Sequence, residues 1–176
     1  MSSGTLSIKG CMDIIMGAMT RFAQDQQGIV NVASDLEHAW RLAANDTTNP
    51  KFIIVFTGEE IRGDFAVAAY NHRVDRHFSM IVSRGRGMDQ ERAKSLWKDT
   101  GNARPLFEIV EAARDVIRGL WSQEFVENPV DYRGINQWDT RPYITDAYNV
   151  NFSIPCDLPF FAGTPNDGPS PLTTEQ

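Results

Sequence analysis

Tyr148-Asn149-Val150-Asn151-Phe152-Ser153-Ile154, closed by Pro155, is the stretch from which the fold is read. Successive side chains of a strand point to opposite faces. Tyr148, Val150, Phe152 and Ile154 therefore share one face, and Asn149, Asn151 and Ser153 share the other. Such alternation predicts a strand with one face on a core and one on a polar surface. Working back along the chain, Val130 to Ile135 contains a Tyr132-Arg133-Gly134 loop motif and reads as an edge strand beside it. Before that comes a helix opened by Pro105, whose missing N–H costs little at a first helical turn. Leu106, Ile109, Val110, Ala113, Val116, Ile117, Leu120 and Trp121 form its wide apolar face. Arg104, Glu108, Glu111, Arg114 and Arg118 belong to the wet one.

The earlier half completes the pattern. Ile8, Cys11, Met12, Ile15, Met19 and Phe22 recur at helical spacing after Ser7, with Gly28 as the expected stop. Ser34, with Glu37 three residues on, predicts a capping box for a second helix carrying Leu36, Ala39, Trp40 and Ala43. Lys51 to Thr57 is nearly continuous apolar sequence between Pro50 and Gly58, as in a central strand covered on both faces. Phe65 to Tyr70 reads as a further strand. Arg76 to Ser83 reads as another, with Phe78, Met80 and Val82 opposite His77, Ser79 and Ile81. Asp89 to Trp97 reads as a short polar helix. Strands cluster instead of alternating with helices. The expected class is α+β: a mixed, mainly antiparallel sheet of four to five strands with helices packed on one face. Residues 1–160 form the expected single domain. Residues 161–176 are Pro/Gly-rich and too polar to order themselves, and read as a tail.

With 176 residues, 41% hydrophobic and 23% charged, the chain has material for one real core. A net charge of −6 argues against a general nucleic-acid binder, which needs a basic field. Cys11 and Cys156 make neither a disulfide framework nor a zinc site, and read as buried thiols of a cytosol-made chain. No stretch reads as a signal peptide or a membrane span.

Few residues point to chemistry. Asp75 and His77 would share a strand face, near His72, Arg73 and Arg76, and two such groups can begin a metal site. A third ligand is missing nearby, so a charged strand start at a surface or subunit contact is the preferred reading. Arg84-Gly85-Arg86-Gly87 has the arginines and glycines of a phosphate cradle but lacks the P-loop lysine pattern. It reads as a solvated loop, with an arm between subunits as the second choice. Glu59-Glu60, with Asp64, reads as a solvated turn. Trp138 and Tyr143 lie in a polar, Pro-containing connection, where aromatic side chains mark interfaces as readily as local packing. No catalytic group, metal or cofactor is expected.

In layout the chain resembles the tail terminator, or tail completion, proteins of long-tailed bacteriophages. The resemblance covers roughly residues 8 to 156. Lys51 to Thr57 looks like the family's first central strand, and Arg76 to Ser83 like the strand before its long helix. Pro105 to Val110 looks like the start of that helix. Tyr132-Arg133-Gly134 and the Tyr148 to Ile154 strand look like its closing segment. The resemblance implies a structural ring, commonly a hexamer, that caps the tail tube and joins tail to head. The implied partners are like subunits, the tail tube protein and a neck or head–tail connector protein. DNA would pass through without specific binding, no membrane is involved, and the chain would be made in the host bacterial cytoplasm and end in the virion. On this reading Arg76, His77, Arg84, Arg86, Trp138 and Tyr143 are candidate contact residues. A head-side neck protein is the nearest alternative. A small metal-dependent hydrolase or nuclease using His72, Asp75, His77 and Glu59 is a more distant one.

Overall fold

The strands assemble into one five-stranded sheet in the order β1-β2-β3-β5-β4. The computed structural model describes residues 7–44, 49–61, 71–85, 96, 104–120, 130–139 and 145–159. Its elements are α1 (Ile8–Asp25), β1 (Ile29–Ala33), α2 (Leu36–Ala44), β2 (Lys51–Ile61), β3 (Asn71–Gly85), α3 (Leu106–Arg118), β4 (Asp131–Trp138) and β5 (Thr145–Pro159). β1 runs parallel to β2, and every other pairing is antiparallel. This is the α+β class with a mixed, mainly antiparallel sheet that the sequence leads one to expect.

The helices divide between the faces. α1 and α3 cover the face that carries Phe52, Ile54, Phe78, Met80, Val82, Val150, Phe152 and Ile154. Phe78 and Phe152 are cross-strand partners there, and their rings stack at 5.7 Å. α2 departs from the expectation of helices on one face. Its Ala39 and Ala43 pack with Ala33, Ile53, Val55, Ile81 and Ala147 on the other side of the sheet. The cause is the parallel β1–β2 pair, whose crossover has to carry its helix over one face. β2 is consequently buried on both sides, as its unbroken apolar run requires.

β1 itself was not expected. Five residues between two helices leave too short a pattern to separate from a connection. Gly28, expected as a helix stop, does close the end of α1, its amide donating to the Ala23 carbonyl at 2.8 Å, and has a second use. A Cβ there would meet the Pro50 carbonyl oxygen at 2.7 Å and the Phe52 ring at 2.8 Å, so the glycine admits the close approach of β1 to the start of β2. The α1 C-terminus lies just before it, where Gln27 takes a left-handed φ of 54°. Ser7 does cap α1, its hydroxyl accepting from the Gly10 amide at 3.0 Å. At α2 the cap is Asp35 and not Ser34: its carboxylate accepts from the His38 amide at 2.7 Å. Glu37 pairs instead with Arg41 one turn on.

β5 continues through Pro155 to Pro159. The β4–β5 register begins at Asp131↔Ser153, so Pro155 lies beyond β4, while β3 still pairs with it through Asp75. β3 likewise outruns its expected ends and includes Arg84. Of the expected Asp89–Trp97 helix only Leu96 is described; it is helical and packs against the core. Phe65–Tyr70, Trp121 and the 161–176 tail lie outside the described residues.

Candidate functional site

Two β-bulges build the most polar region of the sheet. In β2 the register jumps between Phe56 and Gly58, leaving Thr57 as the extra residue. One inserted residue moves every later side chain to the opposite face. Without it Glu59 would follow Ile53 and Val55 onto the α2 face. With it, Glu59 sits opposite Arg76 on the α1 face, and Glu60 opposite Asp75 on the α2 face. Gly58 takes a φ of +147°, a conformation that side chains with a Cβ rarely adopt.

On the α1 face Arg76 is buried, with only 6% of its side chain exposed. Its Nε donates to Glu59 at 2.8 Å, and its Nη1 lies 3.9 Å from the Cys11 sulfur. Burial opposes the Arg76 charge, but the bonds to Glu59 and Cys11 outweigh it and move the guanidinium pKa up. Cys11, from the middle of the α1 stripe, also lies 3.9 Å from the Cys156 sulfur. Cys156 hydrogen-bonds to it and thereby lowers the Cys11 pKa against the opposing effect of burial, and Arg76 helps. The same bond, with burial, pushes the Cys156 thiol up.

On the α2 face the second bulge, between Tyr132 and Gly134, aims Arg133 across β5. Its Nε donates to the Ser153 hydroxyl at 3.2 Å and its Nη2 to the Asp75 carboxylate at 3.3 Å. Asp131 flanks it at 3.8 Å. Beside them the Ser79 hydroxyl donates to Asn151 at 2.8 Å, and His77 Nε2 lies 3.4 Å from Glu60. The polar face of β5 is thus not the open wet surface its sequence suggests. Ser153 and Ser79 are buried, because Arg133 and the neighbouring strands close over them.

These contacts relocate the sequence candidates. Asp75 and His77 do share a face, as strand spacing requires, but Asp75 is held by Arg133 and His77 faces Glu60. Arg76 points to the opposite side. No group of three metal-binding side chains occurs among the described residues. Glu59 is an ion-pair partner instead of a solvated turn residue. Arg84 is not in a loop. It ends β3 as a buried residue, donating to the Arg104 carbonyl at 2.6 Å, and sits opposite Asp146. Burial pulls its pKa down and Asp146 partly offsets this. Trp138 packs against the α2-side core. Arg86 and Tyr143, with Asp64 and the His72 and Arg73 side chains, lie outside the described residues.

Sequence reading missed Arg133 as a keystone and the meeting of Cys11 with Cys156. Signals for both exist. Tyr132 and Ile135 both reach the α1-side core at a spacing of three, which a regular strand forbids and a bulge explains. Carrying the β5 alternation past Pro155 puts Cys156 on the face of Ile154, toward the Cys11 stripe of α1.

No family model and no curated protein matches this sequence. Among solved structures the chain is similar to the catalytic domain of histidine kinase ThkA, with 12% identity and a TM-score of 0.29 over 82% of this chain and 91% of that one. It is similar also to the mycobacterial sensor histidine kinase MprB, with 10% identity and a TM-score of 0.30 over 83% and 94%. Likeness at this level carries no argument about fold or function.

Proposed function

We propose that this chain is a structural assembly protein that acts through contacts with copies of itself and with a tail tube, in the manner of phage tail terminators. The resemblance behind this reading rests on the succession from β2 and β3 through α3 to β4 and β5. The observation that carries the reading is the state of β1. Among the described strands it is a sheet edge, yet Ile29 and Val32 are 49% and 46% exposed on its two faces, and Leu36 beside it is 50% exposed. Isolated sheets guard such edges with charge, proline or bulges. Ile29-Val30-Asn31-Val32-Ala33 has none of these, and its two-sided apolar character is that of a strand inside a larger sheet. A ring of like subunits supplies that continuation. The charged side chains of the polar region meanwhile bond to one another, consistent with work done by surfaces.

The test is the native mass of the purified chain with and without tail tubes, joined to electron micrographs of particles made without it. A ring that closes on the tubes, and overlong free tubes in its absence, support the terminator role. Full-length tails lying beside unjoined heads assign it to the neck instead. A chain that stays monomeric with tubes present, and is missing from virions, overturns both.

A further inference from the structure

We propose that Cys11 and Cys156 are a built-in cross-linking site, oxidised by a hydroperoxide to a disulfide that fastens α1 to β5. The site stands independently of the assembly role. The two sulfurs lie 3.9 Å apart although 145 positions separate them in sequence. Both thiols are buried and unoxidised as the structure stands. A disulfide needs the sulfurs at roughly 2.05 Å, so the two, now 3.9 Å apart, have to close by about 2 Å. Placement in the fold gives the bond its consequence. Cys11 lies in the first helix and Cys156 in the last strand, so the link would close nearly the whole described chain into one loop.

The surroundings assign the two sulfurs different parts. Arg76 Nη1 lies 3.9 Å from Cys11, and Glu59 anchors that guanidinium. A thiolate beside an arginine is the reactive form of cysteine. The Cys156 sulfur lies 3.5 Å from the Ile154 carbonyl, an acceptor that favours its protonated form. Glu59, with about a third of its side chain exposed, is the part of this cluster that meets solvent, whereas Cys11 is fully buried and Cys156 nearly so. Cys11 thiolate attacks one oxygen of the hydroperoxide. The O–O bond breaks, the alcohol or water leaves with a proton, and Cys11 becomes a sulfenic acid, two electrons more oxidised. The Cys156 sulfur then attacks the Cys11 sulfur. The S–S bond forms, the S–O bond breaks, and the Cys156 proton leaves with the hydroxide as water. Two thiols and one hydroperoxide give one disulfide, one alcohol (or water) and one water.

The reduced full-length chain is treated with hydrogen peroxide, alkylated, and analysed by intact mass, peptide mapping and thermal melting. The expected product carries no covalent link between chains and is two hydrogens lighter. Its Cys11 and Cys156 peptides are joined, and its Tm is raised by about 5–15 °C until a dithiol reductant is added. In the Cys156→Ala variant the reaction should stop at a sulfenic acid on Cys11 that a dimedone probe traps. In Cys11→Ala, Cys156 should react about tenfold more slowly or less. Thiols that resist peroxide in the folded chain yet alkylate at once in urea would overturn the proposal. So would cross-links formed only between chains, or sulfenic acid on wild-type Cys11 that never condenses.

Discussion

Arg76 brings a permanent charge beneath α1, and Glu59 is the group that makes this tolerable. A buried charge that loses its partner destabilises far more than the intact pair stabilises. Glu59→Ala should therefore lower stability by about 2–3 kcal/mol, less than for a fully buried pair because Glu59 keeps partial access to water. Replacing both partners, as Glu59→Gln with Arg76→Met, should cost about 1 kcal/mol or less. Urea midpoints at unchanged m-value would show this, and equal losses in the two variants would refute the pairing argument. Asp35 makes a different prediction. The His38 amide and then the Ser34 hydroxyl hold its carboxyl below the usual carboxylate range. A depressed folded pKa means that the cap contributes fully above the unfolded value, about 3.9. Its contribution is lost as pH falls through the lower, folded value. Asp35→Ala should thus melt earlier than the native chain at pH 7, and the gap should close toward pH 2. Asp35→Asn, an equally good cap, should show little gap at either pH.

The bulges show how a single inserted residue sets chemistry at the level of an element. Thr57 turns Glu59 toward Arg76, and the Tyr132–Gly134 bulge turns Arg133 toward Asp75 and Ser153. Gly134 has a φ of +127° with open space where a Cβ would stand, so Gly134→Ala meets backbone strain without a clash. A cost of about 1–2 kcal/mol is expected, together with loss of the Arg133–Asp75 bond, visible as faster amide exchange in β4. Unchanged exchange would mean that the bulge does not depend on glycine. The same elements show what was legible beforehand. Periodicity placed the middles of β3 and β5 and the α3 positions Leu106, Ile109, Val110, Ala113, Val116 and Ile117 correctly, because burial on one face imposes a period. It missed β1, whose five residues span too little of that period, and it stopped β5 at Pro155, where the strand in fact runs on against β3 to Pro159. Bulges break the period itself. The pairing of Glu59 with Arg76, and the keystone role of Arg133, therefore lay outside what a two-residue repeat can show.

At the scale of the molecule the decisive asymmetry, among the described residues, is between the two sheet edges. β4 is polar along much of its length, with Asp131, Asn136 and Gln137 exposed, and protects itself as an isolated edge should. β1 is apolar on both faces and unguarded. That difference separates stability from association. Val32 is about half exposed within the single chain, so its replacement removes little intramolecular burial, and surface changes of this kind usually stay within about 0.5 kcal/mol. A lysine at a strand edge, by contrast, opposes strand addition because its charge would have to be desolvated against a neighbour. Val32→Lys should therefore keep the native Tm and far-ultraviolet spectrum while abolishing the ring that the proposed assembly predicts by native mass. Asn136→Lys, the matching change on β4, should leave assembly intact if β1 is the joining edge. If assembly instead survives Val32→Lys and fails in Asn136→Lys, the polar edge is the contact, and the argument from the unguarded apolar strand is lost.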